Sequence, residues 1–310
     1  MGLVILDRSP KLNIFSLEYL KNIGRSIFKK TRGPQAVTTG LLFGLNELRY
    51  GYKYNPKEKK IDFDDIVYVN GSIRALKWAI KAKRDGKIRN LIAGPVMTVL
   101  PDDKSGIMLD KNIDRILFPS QWTKDFWLSL APWLGEKIQI WPAGVSDPGM
   151  VKNRKNSSFI IYQKNAPVAL LSHIINYFET KNINYKIIKY GSYKKSFYLK
   201  MLENSTGMVY LSESESQGLA LCEAWMYNIP TIVWNRGYWE YGKYKWFDTK
   251  ISAPYLTEEC GRFFAGKDDF IEKWHDFENN LNVYKPRTYA VDHFSNKVSA
   301  NIFVDLLKIC

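Results

Sequence analysis

Apolar positions along the chain alternate between two periods. The short β-branched or aromatic runs Asp65-Ile-Val-Tyr-Val69, Asn90-Leu-Ile-Ala93 and Arg115-Ile-Leu-Phe118 have the length and composition of buried strands. Ile73, Leu76, Ala79 and Ile80 follow the first at helical spacing, and Trp122, Phe126 and Leu128 follow the last. Lys137-Ile-Gln-Ile-Trp141 is one more strand, and it runs into the breakers Pro142, Gly144, Asp147, Pro148 and Gly149. The polar, basic stretch Lys152-Asn-Arg-Lys-Asn-Ser-Ser158 then reads as a linker. Beyond it the alternation restarts. Phe159-Ile-Ile-Tyr162 predicts a strand, and Leu170, Leu171, Ile174, Ile175 and Phe178 predict a helix. Tyr185 to Tyr190, Gly207 to Leu211 and Pro230 to Trp234 are further strands, with a helix from Leu219 to Tyr227 between the last two. Strand–helix–strand order of this kind predicts doubly wound parallel sheets. The pattern therefore gives two Rossmann-like α/β domains, residues 1–150 and 151–291. The tail from Asp292 reads as a separate amphipathic helix, with Val298, Ile302, Leu306 and Ile309 on one stripe and Phe303 and Leu307 beside it.

Composition narrows the class. The 310 residues are 45% hydrophobic and 25% charged, which excludes a disordered tail, a collagen-like fibre and a disulfide-stapled scaffold. Cys222, Cys260 and Cys310 are widely spaced without a CxxC pair, and read as reduced thiols. A balance of 45 Lys and Arg against 31 Asp and Glu gives +14. That charge suits nucleic acid, an anionic membrane surface or a phosphorylated substrate, and its even spread also suits a plain solvated surface. The opening MGLVILDRSP has an apolar run too short for a signal peptide, and no stretch approaches the roughly 20 apolar residues of a membrane helix. The expectation is a cytoplasmic protein with, at most, peripheral membrane contact.

The commonest short motifs are absent: no GxGxxG, P-loop, HExxH or serine nucleophile elbow occurs. His173 lies in a helical pattern and reads as a packed or surface residue. His293, at the start of the last helix, reads as a local cap. Asp62-Phe-Asp64 matches a metal-binding DxD pattern but precedes its strand, whereas ligands of open α/β sheets bind beyond the strands' carboxyl ends. With Asp65 these carboxylates are expected in a solvated loop, and no metal site is expected. Asp102-Asp103 does follow a strand and is a candidate for acceptor contact. The informative stretch runs from Ser212 to Pro230. There a strand enters a polar loop containing Glu215, Gly218 lets the backbone turn, and a helix carrying Glu223 begins. The first turn of such a helix offers unpaired N–H groups to an anion, and a carboxylate beside it can bind a diol.

Glu215-x-x-Gly218-Leu219-x-x-x-Glu223, with Ala224 and Asn228-x-Pro230-Thr-Ile-Val behind it, resembles the E-x7-E signature of retaining GT-B glycosyltransferases, family 4 in particular. Asp114 to Ser120 and Lys137 to Val145 are similar to the last strands of that family's N-terminal domain, and the final helix to the one that crosses back onto it. The resemblance implies the GT-B fold: two Rossmann-like domains facing a cleft, with the 292–310 helix packed on the first. It implies that Glu215 faces the donor sugar and that backbone around Ser216, Gln217, Gly218 and Leu219 holds the diphosphate. Glu223 would bind the ribose, and Lys164 would be the cation for the departing phosphate, the second basic residue of the family's pair being missing or displaced. Tyr190, Gly191 and Tyr193 would lie near the base, and the Arg32-Gly33-Pro34-Gln35 loop would close over the diphosphate and sugar. Asn70, where members often carry histidine, and Gly94 are the acceptor-side candidates.

The implied activity is metal-independent, cofactor-free transfer of a hexose, with retention, from a nucleotide-diphosphate sugar to a hydroxyl acceptor. GDP-mannose is the first donor expected and UDP-hexoses the next. The partners implied are the nucleotide sugar and a glycan, glycoprotein or glycolipid acceptor; a homodimer is left open. Two alternatives stand beside this. One is a non-catalytic relative that holds a nucleotide sugar or glycan, consistent with Asn70 and the incomplete basic pair. The other is a nucleic-acid-binding protein driven by charge alone, for which no recognition motif is present.

Overall fold

A computed structural model describes residues 2–10, 33–95, 97–150 and 158–308. Most of the expected linker, Arg32 of the expected donor loop, Ile309 and Cys310 lie outside the described residues. By its contacts the chain divides into two units, residues 1–144 with 296–310, and residues 145–295.

The first unit holds a parallel six-stranded sheet. Its strands are β1 (Leu3–Leu6), β2 (Tyr52–Tyr54), β3 (Ile66–Val69), β4 (Asn90–Ala93), β5 (Arg115–Phe118) and β6 (Ile138–Ile140), in the order β2-β1-β3-β4-β5-β6. β1 and β3 are buried along their whole length, which is why they read as unbroken apolar runs rather than alternating ones. Helices α1 (Gly33–Glu47), α2 (Ile73–Arg84) and α3 (Gln121–Leu130) flank the sheet's strands in sequence. Ser72 caps α2 by accepting from the Ala75 N–H at 3.2 Å.

The second unit holds a parallel five-stranded sheet: β7 (Ser158–Gln163), β8 (Tyr185–Lys189), β9 (Ser205–Leu211), β10 (Thr231–Trp234) and, after the antiparallel ribbon of β11 (Tyr238–Tyr241) and β12 (Tyr244–Phe247), β13 (Gly261–Phe264). The sheet order is β13-β10-β9-β7-β8. Alternation in β7 sends Ile160 and Tyr162 into one core and Phe159 and Ile161 into another. Helices α4 (Val168–Thr180), α5 (Lys195–Glu203), α6 (Leu219–Met226), α7 (Lys267–Asn279) and α8 (Pro286–Phe294) complete the unit. α5 and α6 feed the first core, α4 and α7 the second.

The last helix, α9 (Asn296–Leu307), packs on α1 within the first unit. Its buried face is Asn296, Ser299, Ala300, Phe303 and Leu307, and the expected Val298–Ile302–Leu306 stripe is only half-buried. The stripe is turned because α9 approaches α1 where that helix has only Gly40 and Gly44, so its small side chains face inward. His293 correspondingly falls in the last turn of α8, stacked on Tyr289 with Nδ1 2.8 Å from the Tyr289 carbonyl oxygen. Asp65 is also corrected: it is buried, not solvated. It accepts from Lys53 Nζ at 2.8 Å and from the Asp62 N–H at 2.9 Å. Burial would raise its pKa, but these partners hold the carboxyl below the ordinary value. Asp62 and Asp64 are exposed at the amino end of β3. Among the described residues no helix is long and apolar enough to cross a membrane.

Candidate active site

In a parallel sheet all strands deliver their carboxyl ends to one edge, so the loops after β7, β8, β9 and β10 meet there. The loop after β7 supplies Lys164, the one after β8 Tyr190 to Tyr193, and the one after β9 Glu213 to Gly218. Lys164 Nζ lies 2.9 Å from Glu215 Oε1, to which the Tyr210 hydroxyl also donates at 2.7 Å. One carboxylate oxygen is thus fixed from two sides. Tyr210 stacks on Tyr162, with ring centroids 4.9 Å apart and planes 9° from parallel, and the Tyr162 hydroxyl shares a 2.7 Å hydrogen bond with that of Tyr193. Lys164 Nζ also sits 5.0 Å from the centroid of the exposed Tyr190 ring.

The Glu215 loop is held by its own backbone. The Glu215 N–H donates to the Ile251 carbonyl at 2.9 Å and the Glu213 N–H to Asn165 Oδ1 at 2.8 Å. Gly218 then takes φ +84° at the N-cap of α6, a conformation that disfavours any Cβ, and an added Cβ would lie 3.1 Å from Leu221 Cδ1. The N-cap residue is a glycine and brings no capping side chain of its own, and a helix start of this kind is where an anion can be received. Ser216 is half-buried and Gln217 buried in the same turn.

Glu223, one turn into α6, is ion-paired with Lys195 at the start of α5. Burial raises the Glu223 pKa, and Lys195 pulls it down only in part. Each carboxylate of the E-x7-E pattern therefore has its own lysine. Burial also raises the tyrosines: Tyr193 is pushed up to about 12, and Tyr162 and Tyr210 are raised by burial as well, so all three keep their hydroxyl protons at neutral pH.

The residues singled out in the sequence divide into two groups. Lys164, Tyr190, Tyr193, Glu215 and Glu223 gather at this edge, with Gly191 at φ +76° in the turn between the tyrosines. Gly33, Asn70 and Gly94 belong to the first unit. Gly33 opens α1 and is exposed. Asn70, after β3, is buried and donates through Nδ2 to the Pro34 carbonyl at 2.9 Å and Thr38 Oγ1 at 3.0 Å, so it ties the start of α1 to the sheet. Gly94, after β4, is required by packing: a Cβ would stand 2.4 Å from the Leu117 carbonyl oxygen. Asp103 closes its own loop, accepting from the N–H groups of Val99 and Leu100 at 3.0 and 2.9 Å. Among the described residues no three His, Cys, Asp or Glu side chains group as a metal site.

Sequence reasoning missed Tyr162, Tyr210 and Lys195. Strand alternation could have found the two tyrosines, because each lies on the face that carries the first core, close to the carboxyl end. Lys195 follows Lys194 in a lysine-rich segment and carries no distinguishing local signal.

No protein-family model matches the chain, and no curated protein matches its sequence. Solved structures do match. A lipopolysaccharide outer core galactosyltransferase, WaaB, in its apo form is similar over 99% of both chains at 11% identity, with a TM-score of 0.61. Anabaena Alr3699/HepE in complex with UDP and glucose is similar over the whole of both chains at 9% identity and a TM-score of 0.56. S. aureus TarM, in a complex with fondaparinux, α-GlcNAc-glycerol and UDP, is similar over 87% of this chain and 58% of its own at 13% identity and a TM-score of 0.52. At such identities the likeness is one of architecture, and the architecture this chain shares with these proteins is the GT-B fold of two parallel α/β sheets.

Proposed function

We propose that the chain is a glycosyltransferase that moves a hexose from a nucleoside-diphosphate donor to a hydroxyl acceptor with retention of configuration, as the resemblance to family 4 implies. The observation that carries this reading is the convergence of Lys164, Tyr210 and Glu215 beside the start of α6 at Gly218. Breaking the bond between the sugar's anomeric carbon and the diphosphate leaves negative charge on the departing phosphate oxygen. Lys164 and the N–H groups after Gly218 are placed to stabilise that charge as it develops. Glu215, oriented by Tyr210, accepts hydrogen bonds from the sugar hydroxyls, and Glu223 accepts from the ribose. The acceptor oxygen attacks the anomeric carbon on the face the diphosphate leaves, and its proton passes toward the leaving phosphate. HepE was captured with UDP and glucose and also with UDP-glucose, which favours UDP-glucose over GDP-mannose as the first donor to test.

Calorimetric titration of the protein with UDP-glucose, GDP-mannose, UDP and GDP tests the site. Binding of one donor, weakened about tenfold or more in Glu223→Ala, is the expected result. Absence of binding by all four would remove the donor assignment. Turnover of the bound donor in the wild type but not in Glu215→Ala separates an enzyme from a non-catalytic holder.

A further inference from the structure

Lys195 is the first residue of α5. The first turn of a helix carries the positive end of its dipole and is stabilised by acidic side chains, yet α5 has none there and begins with Lys194 and Lys195. Helix electrostatics give no reason for the Lys195 ammonium. Its reason lies across the contact with α6, where two rungs join the helices. The hydroxyl of the fully buried Tyr198 donates to the Ala220 carbonyl at 2.6 Å. One turn back along α5 and one turn on along α6, Lys195 meets Glu223. Lys195 Nζ also stands 5.6 Å from the Tyr198 ring centroid, so the ammonium is held by a ring as well as by a carboxylate.

The two partners differ in exposure. The Lys195 side chain is 38% exposed and that of Glu223 12%, so the lysine reaches in from solvent to a carboxylate that burial penalises. Burial favours the neutral form of Glu223, and Lys195 is the cation that opposes it. The other titratable groups that face Glu223 are Tyr193 on the loop after β8, Tyr198 on α5, and Cys222 and Tyr227 on α6. Burial raises all four, so they are neutral at neutral pH and none supplies positive charge. Charge in turn decides what Glu223 offers a ribose. An ionised carboxylate accepts on both oxygens, enough for the two hydroxyls of a diol beside the lysine's bond to Oε1, whereas the protonated acid gives up part of that capacity to its own O–H.

We propose that Lys195 is a positioning residue for nucleotide recognition: fixed against Glu223 by the α5–α6 contact, it holds that carboxylate ionised and in place for the ribose hydroxyls, and so sets the pH range over which the nucleotide binds. The inference rests on the glycosyl-transfer reading, in which Glu223 receives the ribose.

The test uses the full chain and follows two quantities across pH. One is the carboxyl carbon-13 resonance of Glu223, assigned by its loss in Glu223→Gln. The other is calorimetric affinity for UDP and GDP, with Glu223→Gln giving the nucleotides' own pH dependence. Wild-type binding is expected to weaken as pH falls through the Glu223 transition. In Lys195→Met the transition and the acid limb of the binding profile should move together to higher pH, with binding on that limb weaker about tenfold for each pH unit moved. Lys195→Arg should restore both, and Lys195→Gln replaces the methionine variant if that one melts early. Uniformly weaker binding in Lys195→Met with the carboxyl transition unmoved would make the lysine a strut and overturn the proposal. A transition that moves while binding does not would overturn it as well. Wild type that binds neither UDP nor GDP at any pH would instead remove the donor assignment, and this inference with it.

Discussion

Two opposing pulls act on Glu223, burial that favours its neutral form and Lys195 that favours the charged one, and burial prevails. The folded chain thus holds this proton more tightly than the unfolded chain does. Stability from this group is fully present below its ordinary value of 4.5 and is lost as pH rises toward the raised value. Thermal melting across pH should therefore show the wild type losing stability relative to Glu223→Gln as pH climbs past 4.5; parallel curves would contradict it. Gly218 is tied to its backbone in the same way. Gly218→Ala places a Cβ at φ +84° and 3.1 Å from Leu221 Cδ1, and should cost about 1–2 kcal/mol in denaturant unfolding while weakening UDP binding. At this scale the sequence made Glu215 and Glu223 visible, because a carboxylate eight residues from another across a glycine is a local pattern, whereas Lys164 entered only through the resemblance to family 4. Lys195 was invisible because its partner is 28 residues away and only the folded helices bring them together.

Elements follow the same division between local and distant causes. The strands β3, β4, β5, β7 and β9 were legible to within two residues, since each is an apolar run whose burial needs no partner to be recognised. Three-residue β2, the β11–β12 ribbon and β13 were not, being short or polar along one face. The ribbon did carry a signal: Tyr-Gly242-Lys-Tyr is a two-residue hairpin turn with Gly242 at φ +57°. α9 was legible as a helix but not in its facing, because small residues decide it. A Cβ at Gly44 would stand 2.0 Å from the Asn296 carbonyl oxygen, and one at Gly40 2.6 Å from that of Gly144. This close approach brings Ser299 to Trp141, whose Nε1 donates to the Ser299 carbonyl at 3.0 Å, and Phe303 against Tyr68 and Trp141. Gly44→Ala must push α9 off this seat. It should destabilise the first unit by about 1–3 kcal/mol in denaturant unfolding, and leave UDP titration of the second unit unchanged.

At the scale of the whole molecule the two units differ in how the chain builds them. The second is one continuous stretch, residues 145–295, with both faces of its sheet covered by its own helices. The first is assembled from two stretches, and α9, the later of them, contributes the fully buried Ala300 and Phe303 to it. The consequences of cutting are therefore unequal. Removing residues 296–310 takes away the partner of Gly40, Gly44, Tyr68 and Trp141, and should abolish the unfolding transition of the first unit while preserving that of the second. A fragment of residues 145–295 keeps Lys164, Lys195, Tyr210, Glu215, Gly218 and Glu223 together with their packing. It should fold with an α/β circular dichroism spectrum and bind UDP within about tenfold of the full chain, a difference of about 1.4 kcal/mol. A fragment that folds but shows no UDP binding by calorimetry would mean that the carboxyl edge of this sheet lacks a determinant the first unit supplies. The nucleotide would then have to be sought among groups such as Gly33 at the opening of α1. Binding retained by the fragment would place the recognition of the diphosphate and ribose in the E-x7-E unit alone.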